Sequence, residues 1–307
     1  MSTISYRPAQ DYHHLLLALR GLARRQRLTL PPAGYDRRAS FRFTDEARDA
    51  WYHLFQVPTE APLIPFLYHS PLNVMGLHHF LGRLRVNFRN IVHLRTDLAV
   101  APAFDRDFRP GATYQHRALV EDVTLLRADR AVAVFGTEVT IPGGGHVYRS
   151  REYFGVNNLS PRDAATLRTV TDFGRTDVDG LRGQARRTRR LVPEAHRRIA
   201  VPRDMGRAYG LVSGDRNVVH TNARLSRLFG YRGAFIQGLC TAQLALKVLC
   251  HDLRQPLGRL TITYCRPVYV GQTIDVVVQG TEMEILDSTG GVLAAGDWRS
   301  PADHHQP

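Results

Sequence analysis

The chain has 307 residues, of which 43% are hydrophobic and 22% are charged, and its formal net charge is +13 at pH 7. This composition suits a globular protein with room for two domains and excludes a disordered chain. No apolar run approaches the roughly 18 residues of a membrane span, and the N-terminal residues lack the apolar core of a secretory signal. We therefore predict a cytoplasmic protein without a membrane span.

The N-terminal region predicts three helices. The first covers residues 10–29, where leucines alternate with arginines until two prolines end the pattern. The second covers residues 45–55, directly after Thr44. The third covers residues 72–84 and is apolar on most of its faces, so we expect it to be buried.

Four strand-like runs follow the third helix. They cover residues 90–100, 114–127, 131–142 and 146–156, and they are rich in β-branched and aromatic side chains. Three consecutive glycines at residues 143–145 predict a hairpin turn between the last two runs. The N-terminal part of the chain is therefore predicted to wrap antiparallel strands around a buried helix.

Residues 158–197 interrupt this pattern with a polar, strongly basic segment. It contains four arginines within residues 186–190. We interpret the segment as a basic linker. Contact of these arginines with coenzyme phosphates or with a carrier protein is the alternative to a simple solvated run of charge.

A short polar cluster near residue 215 is the strongest chemical signal in the chain. Asp215, Asn217 and His220 lie within six residues of one another, and Gly214 before them predicts a tight turn. A carboxylate beside an imidazole is the simplest equipment for moving a proton to or from water. We therefore take Asp215 and His220 as the candidate acid/base pair.

The segment after the cluster predicts a second buried helix, over residues 239–250, which is apolar on nearly every side. Its first N–H groups, near Gly238 and Leu239, have no partner within the helix. Together with the positive end of the helix dipole they could hold a developing oxyanion. A strand from about Arg198 and strands near residues 258–266, 272–282 and 291–298 complete a second unit.

These residues resemble the MaoC-like hot-dog family, whose members are (R)-specific enoyl-thioester hydratases and 3-hydroxyacyl-thioester dehydratases. The motif runs through Tyr209, Ser213, Asp215, Asn217 and His220, with Gly238-Leu239 eighteen residues after the imidazole. The clear match covers about residues 205–280. The chain departs from the family at Val218-Val219, where the family usually has Pro-Leu or Pro-Ile, and at Gln237, where it often has His.

The resemblance implies an α+β fold with two tandem hot-dog units, each an antiparallel sheet wrapped around a buried helix. Residues 1–157 would form a non-catalytic unit that shapes the acyl tunnel, and residues 198–307 would form the catalytic unit. The Asp/His motif is absent from residues 1–157. The expected substrate is an acyl thioester of coenzyme A or of an acyl carrier protein, in fatty acid metabolism.

The implied reaction is the reversible hydration of trans-2-enoyl thioesters, or the dehydration of (R)-3-hydroxyacyl thioesters. Asp215 would act as base toward water, and His220 would orient that water and exchange a proton with the α-carbon. The N–H of Gly238, next to Leu239, would bind the thioester oxygen. No organic cofactor and no metal ion is required.

Three further residues are expected to support the site. Asn217 would hold Asp215 through a side-chain hydrogen bond. Tyr209 and Ser213 would line the pocket or stand behind the acid/base pair. The Gln237 departure could retune how the substrate fits.

Other functions remain open at this point. A hot-dog thioesterase shares the expected fold, and a non-catalytic acyl-thioester-binding subunit is compatible with Gln237. Nucleic-acid binding is disfavoured, because the arginine-rich composition comes without a zinc finger or an RNA-binding aromatic motif. The three cysteines predict no disulfide framework, and the spacing of cysteines and histidines predicts no metal site. A homodimer is compatible with the sequence.

Overall fold

The structure is a computed structural model that describes residues 3–5, 25–30, 36–59, 80–102, 104, 108–170, 173–177, 181 and 191–301. Its strands join into one sheet with the order β1-β2-β4-β5-β6-β3-β8-β11-β10-β9-β7. Neighbouring strands are antiparallel except for the parallel pair β1–β2. The strands are β1 (Thr3–Ser5), β2 (Asp36–Arg42), β3 (Ile91–Val100), β4 (Thr113–Arg127), β5 (Arg130–Thr140), β6 (His146–Val156), β7 (Ala195–Ala200), β8 (Arg259–Tyr264), β9 (Thr273–Gln279), β10 (Glu282–Asp287) and β11 (Val292–Arg299).

The helices of the described residues lie between these strands along the chain. They are α1 (Asp45–Phe55), α2 (Pro161–Thr169), α3 (Met205–Ser213), α4 (Val218–Thr221), α5 (Ala223–Leu228) and α6 (Gly238–Leu246), with a 3-10 turn over Phe88–Asn90. The α6 helix continues into a π-helical turn over Lys247–Asp252. Helix α1 begins after Thr44, whose hydroxyl oxygen accepts a hydrogen bond from the N–H of Ala47.

One strand pair joins the two halves of the sheet. Strand β3 pairs with β8 from Arg95–Thr263 to Ala99–Arg259. Every strand of the N-terminal half lies on the β3 side of this pair, and every strand of the C-terminal half lies on the β8 side. The two halves therefore form one continuous antiparallel surface, and the elements that follow β8 are placed relative to β3.

Helix α6 is the buried helix of the C-terminal half. Residues 239–246 are all buried, which confirms the expectation from their apolar character. Leu246 packs in one hydrophobic cluster with Ile262 of β8 and Ile274 of β9. The sheet thus encloses the helix and places its N-terminus, at Gly238, near the β3–β8 pair.

The four N-terminal strands were predicted within one or two residues of their observed bounds. The predicted helix over residues 45–55 coincides with α1. The glycine turn is confirmed as well, because Gly143 and Gly144 have φ values of 100° and 101° and the N–H of Ile141 donates to the carbonyl oxygen of Gly145 at 2.9 Å. Their β-branched and aromatic side chains were sufficient to locate the four strands.

Three predictions in the C-terminal half and the linker need correction. Residues 272–282 are not one strand, because the chain turns at Gly280, with φ 55°, between β9 and β10. Residues 205–213, between the predicted strand and the predicted turn, form helix α3, which no pattern predicted and which ends at Gly214. The polar segment after residue 157 contains α2, which Ser160 caps by accepting from the N–H of Asp163.

The first predicted helix does not extend to residue 29. Residues 25–30 have no regular structure. Instead, the N–H groups of Arg27 and Thr29 donate to the carbonyl oxygens of Arg85 and Leu84. Backbone bonds to another segment replaced the local helical bonds that the leucine spacing predicts. The third predicted helix is described only from Phe80, and residues 80–83 are helical. The remainder of both helices, and the arginines of residues 186–190, lie outside the described residues.

Helices α1 and α3 are held together by aromatic packing. The Trp51 side chain is 1% exposed, and its ring meets that of Tyr209 edge-on at 5.4 Å between centroids. Phe55 meets the same tyrosine at 6.3 Å. Because α3 leads directly into the Asp215 segment, this contact fixes the helix that presents it.

We expect Trp51→Ala to lower the free energy of unfolding by about 3–5 kcal/mol, because it removes a fully buried ring from a packed core. His53→Ala, at an exposed position of the same helix, is the control and should change stability by less than about 0.5 kcal/mol. Chemical denaturation of both variants measures the difference. Equal effects would show that the ring contact contributes nothing specific.

Candidate functional site

A cavity of about 370 Å³ lies between side chains of the two halves of the chain. The C-terminal half contributes Asp215, Asn217, His220, Gly238 and Leu239 to its wall. The N-terminal half contributes a mainly apolar surface that includes Phe80, Leu81, Phe88, Ile91, Phe135 and Phe154. The cavity therefore combines an apolar wall with a few convergent polar groups, which is the usual character of a small-molecule site.

The Asp215 segment is shaped by the end of α3 and the start of α4. Gly214 has φ 79°, a left-handed conformation that ends α3 and that glycine adopts without strain. The Nδ1–H of His220, on α4, donates to the carbonyl oxygen of Phe235 at 2.9 Å. A carbonyl oxygen can only accept, so the proton of the neutral ring lies on Nδ1 and Nε2 carries a lone pair.

The Nε2 of His220 lies 3.9 Å from Oδ2 of Asp215. This separation is too long for a direct hydrogen bond. Both atoms accept hydrogen bonds, and one water molecule between them could donate to each. The pair is therefore arranged to hold one water and to exchange protons with it.

Burial lowers the pKa of His220 below its ordinary value. The charge of Asp215 and the hydrogen bond to Phe235 act in the opposite direction, but they do not overcome the desolvation. The imidazole is therefore neutral near pH 7, with its Nε2 lone pair available to take up a proton.

Two glycines of α3 allow the helix to lie against this segment. A Cβ atom at Gly210 would lie 2.8 Å from the carbonyl oxygen of Asp215, and one at Gly206 would overlap the carbonyl oxygen of His220. Residues four apart share one face of a helix, so α3 presents a bare face to the site. The Gly-x-x-x-Gly spacing of Gly206 and Gly210 is the only local signal of this contact, and no prediction from the sequence used it.

The Gln237 side chain makes hydrogen bonds to the same segment and to α3. Its amide N–H groups donate to the carbonyl oxygens of Gly206 at 3.2 Å and Asp215 at 2.9 Å. It makes no capping bond to α6. The N–H groups of Gly238 and Leu239 are therefore left without a side-chain cap from Gln237 at the cavity wall.

Gly238 stands where α6 approaches the N-terminal half most closely. A Cβ atom at this position would lie 2.7 Å from Nδ1 of His93 and 3.3 Å from the ring of Tyr264. Only glycine fits without a shift of its neighbours. The absent side chain leaves the first N–H groups of α6 open toward the cavity.

The expected roles of Asn217 and Tyr209 require correction, whereas Ser213 stands behind Asp215. The side-chain oxygen of Asn217 accepts from the N–H of Val219 at 3.4 Å and thereby caps α4, so the amide does not hold Asp215. The backbone N–H of Asn217 does so instead, donating to Oδ1 of Asp215 at 3.3 Å. Tyr209 lies in the hydrophobic core against α1, away from the cavity wall. Ser213 is fully buried, and its hydroxyl oxygen accepts from the N–H of Asp215 at 3.1 Å.

The structure brings a second histidine and a second carboxylate into the cavity wall. His93 of β3 and Glu152 of β6 both line it, and Nε2 of His93 lies 2.8 Å from Oε2 of Glu152. They are 59 residues apart, so no local motif could indicate the pair. The pairing of β3 with β6 in the sheet brings them together.

Among the described residues, no group of three or more His, Cys, Asp or Glu side chains could hold a metal ion. No helix in the same described part of the chain is long and apolar enough to cross a membrane.

Comparisons with known proteins place this geometry in context. Residues 185–296 match the family model of the MaoC like domain. A 102-residue stretch is 29% identical to a probable enoyl-CoA hydratase 2 of Dictyostelium discoideum, covering 32% of this chain and 33% of the relative. The chain thus matches about a third of the length of that curated relative.

Solved structures share the fold over most of the chain. The peroxisomal multifunctional enzyme type 2 of Drosophila melanogaster matches with a TM-score of 0.60 and 18% identity, over 86% of this chain and 48% of its own. HtdX of Mycobacterium tuberculosis matches with a TM-score of 0.62 and 15% identity, over 86% and 100%. A MaoC-like dehydratase of Phytophthora capsici matches with a TM-score of 0.59 and 14% identity, over 88% and 97%. The α+β hot-dog fold is confirmed.

We expect Gly238→Ala to lower the free energy of unfolding by about 1–3 kcal/mol, because the added methyl overpacks the contact with His93. Gly233→Ala is the matched control, since its Cβ would meet nothing within 4 Å, and it should be neutral or stabilising by about 0.4–1 kcal/mol. Adding His93→Ala should recover part of the loss at Gly238, as a double-mutant cycle would measure. Additive effects would contradict the contact.

We expect His220 to titrate below 6.5 in an NMR experiment, because burial disfavours its charged form. Asp215→Asn should lower this pKa further, since it removes a carboxylate that raises it. The base form needed for proton uptake would then be lost only as the pH falls through the lowered value. A titration above 6.5, or an upward shift in the variant, would contradict the neutral imidazole.

Proposed function

We propose, on the premise that residues 185–296 form a MaoC like domain, that this protein is a hydro-lyase acting on acyl thioesters. The reaction is the reversible hydration of trans-2-enoyl thioesters to (R)-3-hydroxyacyl thioesters. The observation that carries the proposal is the pair of proton acceptors, Asp215 Oδ2 and His220 Nε2, held 3.9 Å apart on the wall of an apolar cavity. The Dictyostelium relative, a probable enoyl-CoA hydratase 2, supports the same reaction.

In hydration, the water between the two acceptors attacks the β-carbon. Asp215 takes the proton that the water releases, and the new hydroxyl oxygen, which still lies between the two side chains, relays a proton to Nε2 of His220. His220 then delivers it to the α-carbon. The hydroxyl group is added at one carbon and the proton at the next, so both side chains return to their starting states.

In dehydration, the lone pair on Nε2 of His220 takes the α-proton. The hydroxyl on the β-carbon, which lies between His220 and Asp215 in place of the water, takes up that proton from the pair and leaves as water. The bond from Nδ1 to Phe235 keeps the ring in the tautomer that this step needs. Acid/base groups placed in this way contribute typically 10²–10⁴-fold in rate.

The start of α6 stabilises the charge that develops on the substrate. Removal of the α-proton moves negative charge onto the thioester oxygen. The uncapped N–H of Gly238 and the positive end of the helix dipole face the cavity where that oxygen would lie. The catalytic groups named so far therefore lie within residues 198–307, the unit to which we assign the proton transfers.

The substrate is carried by a phosphorylated group, either coenzyme A or an acyl carrier protein. Arg89 and Arg266 are exposed and line the cavity. Arg232, also exposed, lies over the ring of Tyr269, 4.4 Å from its centroid. Cations at the cavity suit the phosphates of the carrier, and the apolar wall from the N-terminal half suits the acyl chain. A homodimer would be compatible with this arrangement.

We expect Asp215→Asn and His220→Ala each to lower kcat at least 100-fold, because each removes one of the two proton acceptors. Hydration of crotonyl-CoA, followed by loss of the enoyl absorbance, measures the rate. His196→Ala is the control, because this histidine is exposed and paired with Asp275 on the surface.

Near-normal turnover in either site variant, with the protein folded, would remove the acid/base pair proposed here. Release of free thiol from the same substrate would indicate hydrolysis and favour a thioesterase. A wild-type protein that binds the thioester without altering it would favour the non-catalytic binding subunit.

A further inference from the structure

A second histidine–carboxylate pair lies on the cavity wall that the N-terminal half contributes. Nε2 of His93 bonds to Oε2 of Glu152 at 2.8 Å, and Glu152 is only 3% exposed. The hydroxyl of Thr96 donates to the same carboxylate oxygen at 2.5 Å, and the hydroxyl of Tyr264 lies 3.0 Å from Thr96. Oε2 of Glu152 therefore accepts hydrogen bonds from its neighbours. The proton on Nε2 of His93 then points toward Glu152.

Stacking holds the His93 ring in one orientation. The ring lies 4.5 Å from the ring of Phe154, with 17° between their planes, and 4.6 Å from the ring of Tyr264. With Nε2 on Glu152, Nδ1 is directed toward Gly238. Among the described residues, Nδ1 has no hydrogen-bond partner, although His93 lines the cavity.

The position of Nδ1 suits a shared oxygen ligand. Nδ1 lies 2.7 Å from where a Cβ of Gly238 would be, so standard bond lengths place it within about 5 Å of the Gly238 nitrogen. One oxygen that accepts bonds of about 2.9 Å from both can join donors up to roughly 5.8 Å apart. The imidazole and the helix N–H are therefore close enough to bind the same atom.

We propose that His93 is a catalytic residue of this site: its Nδ1–H is the second donor to the thioester carbonyl oxygen, beside the N–H of Gly238. The proposal rests on the hydro-lyase function proposed above. It replaces the expectation that residues 1–157 supply only the walls of the tunnel. Proton transfer then takes place at Asp215 and His220 of the C-terminal half. The negative charge is stabilised where β3 of the N-terminal half, with His93, meets the start of α6.

The proposed role needs one proton on each ring nitrogen of His93, one facing Glu152 and one facing the substrate. The Glu152 carboxylate, 2.8 Å from Nε2, is placed to balance the charge of such a ring. The positive end of α6 opposes a second cation nearby, and the buried carboxylate offsets that effect. When the α-proton leaves, the carbonyl oxygen becomes an enolate oxygen that accepts from both donors. No bond to His93 forms or breaks.

Two substitutions of His93 each keep a nitrogen at the position of only one of the two ring nitrogens. In His93→Asn the amide can occupy the position of Nδ1, and in His93→Gln it can occupy that of Nε2. We expect His93→Gln to lower kcat by about 10²–10³-fold, the usual loss of one oxyanion donor, with KM changed by no more than a few-fold. His93→Asn should retain most of kcat. His146→Asn and His146→Gln, at an exposed residue of β6, are matched controls with no expected effect.

A binding measurement separates this proposal from the hydro-lyase function. Butyryl-CoA labelled with ¹³C at the carbonyl cannot be hydrated, so its carbonyl stretch can be read by isotope-edited infrared difference spectroscopy without turnover. We expect the stretch to move to lower frequency on binding to the wild-type protein and to His93→Asn. It should return toward the free value in His93→Gln and stay shifted in Asp215→Asn.

The outcomes are distinct. Asp215→Asn that abolishes turnover while the carbonyl shift survives, together with a lost shift in His93→Gln, supports both proposals. A shift that depends on His93 in a protein without hydration activity retains the donor and overturns the hydro-lyase function. Equal kcat in the two His93 variants, a shift that His93→Gln leaves intact, or no shift on binding to the wild-type protein overturns the role of His93.

Discussion

The antiparallel pairing of β3 with β8 is the interaction on which the rest of the site depends. Without it, the two halves of the chain would be separate sheets with open edges. With it, β3 carries His93 to the start of α6, and the apolar side chains of the N-terminal half face the Asp215 segment across the cavity. Because this strand pair joins the two halves, the cavity between them has walls from both halves.

Close backbone approach is the second constraint. Gly206 and Gly210 allow α3 to rest against the carbonyl groups of the segment that carries the acid/base pair, and Gly238 allows α6 to rest against His93. At each position a methyl group would occupy space that a site atom already fills. The Gln237 amide then ties two of these backbones together. The geometry of the site is thus held mainly by backbone packing, and the polar side chains are free for chemistry.

The electrostatic arrangement follows from which groups are buried and which are paired. His220 is buried with one nitrogen satisfied by a carbonyl oxygen, so its pKa is lowered and it is suited to the proposed role of a neutral base. His93 is paired with a buried carboxylate and is suited to serve as a donor. The same side chain can therefore take opposite roles on two walls of one cavity, because its immediate partner differs.

The sequence by itself determined most of the local elements and indicated the proposed acid/base pair. Runs of β-branched and aromatic residues located β3 to β6, and the spacing of Asp215 and His220 indicated the candidate chemistry, because both signals lie within a few consecutive residues. Even so, no helix was predicted at α3, which contains two glycines and whose apolar residues pack on Trp51 of α1. Only the tertiary structure decided that Tyr209 is a core residue, that Asn217 caps a helix and that His93 meets Glu152 beside Gly238. Except for the Asn217 cap, which is a local bond to Val219, those contacts join segments tens to more than a hundred residues apart, and strand pairing and helix packing, which no local pattern records, bring them together.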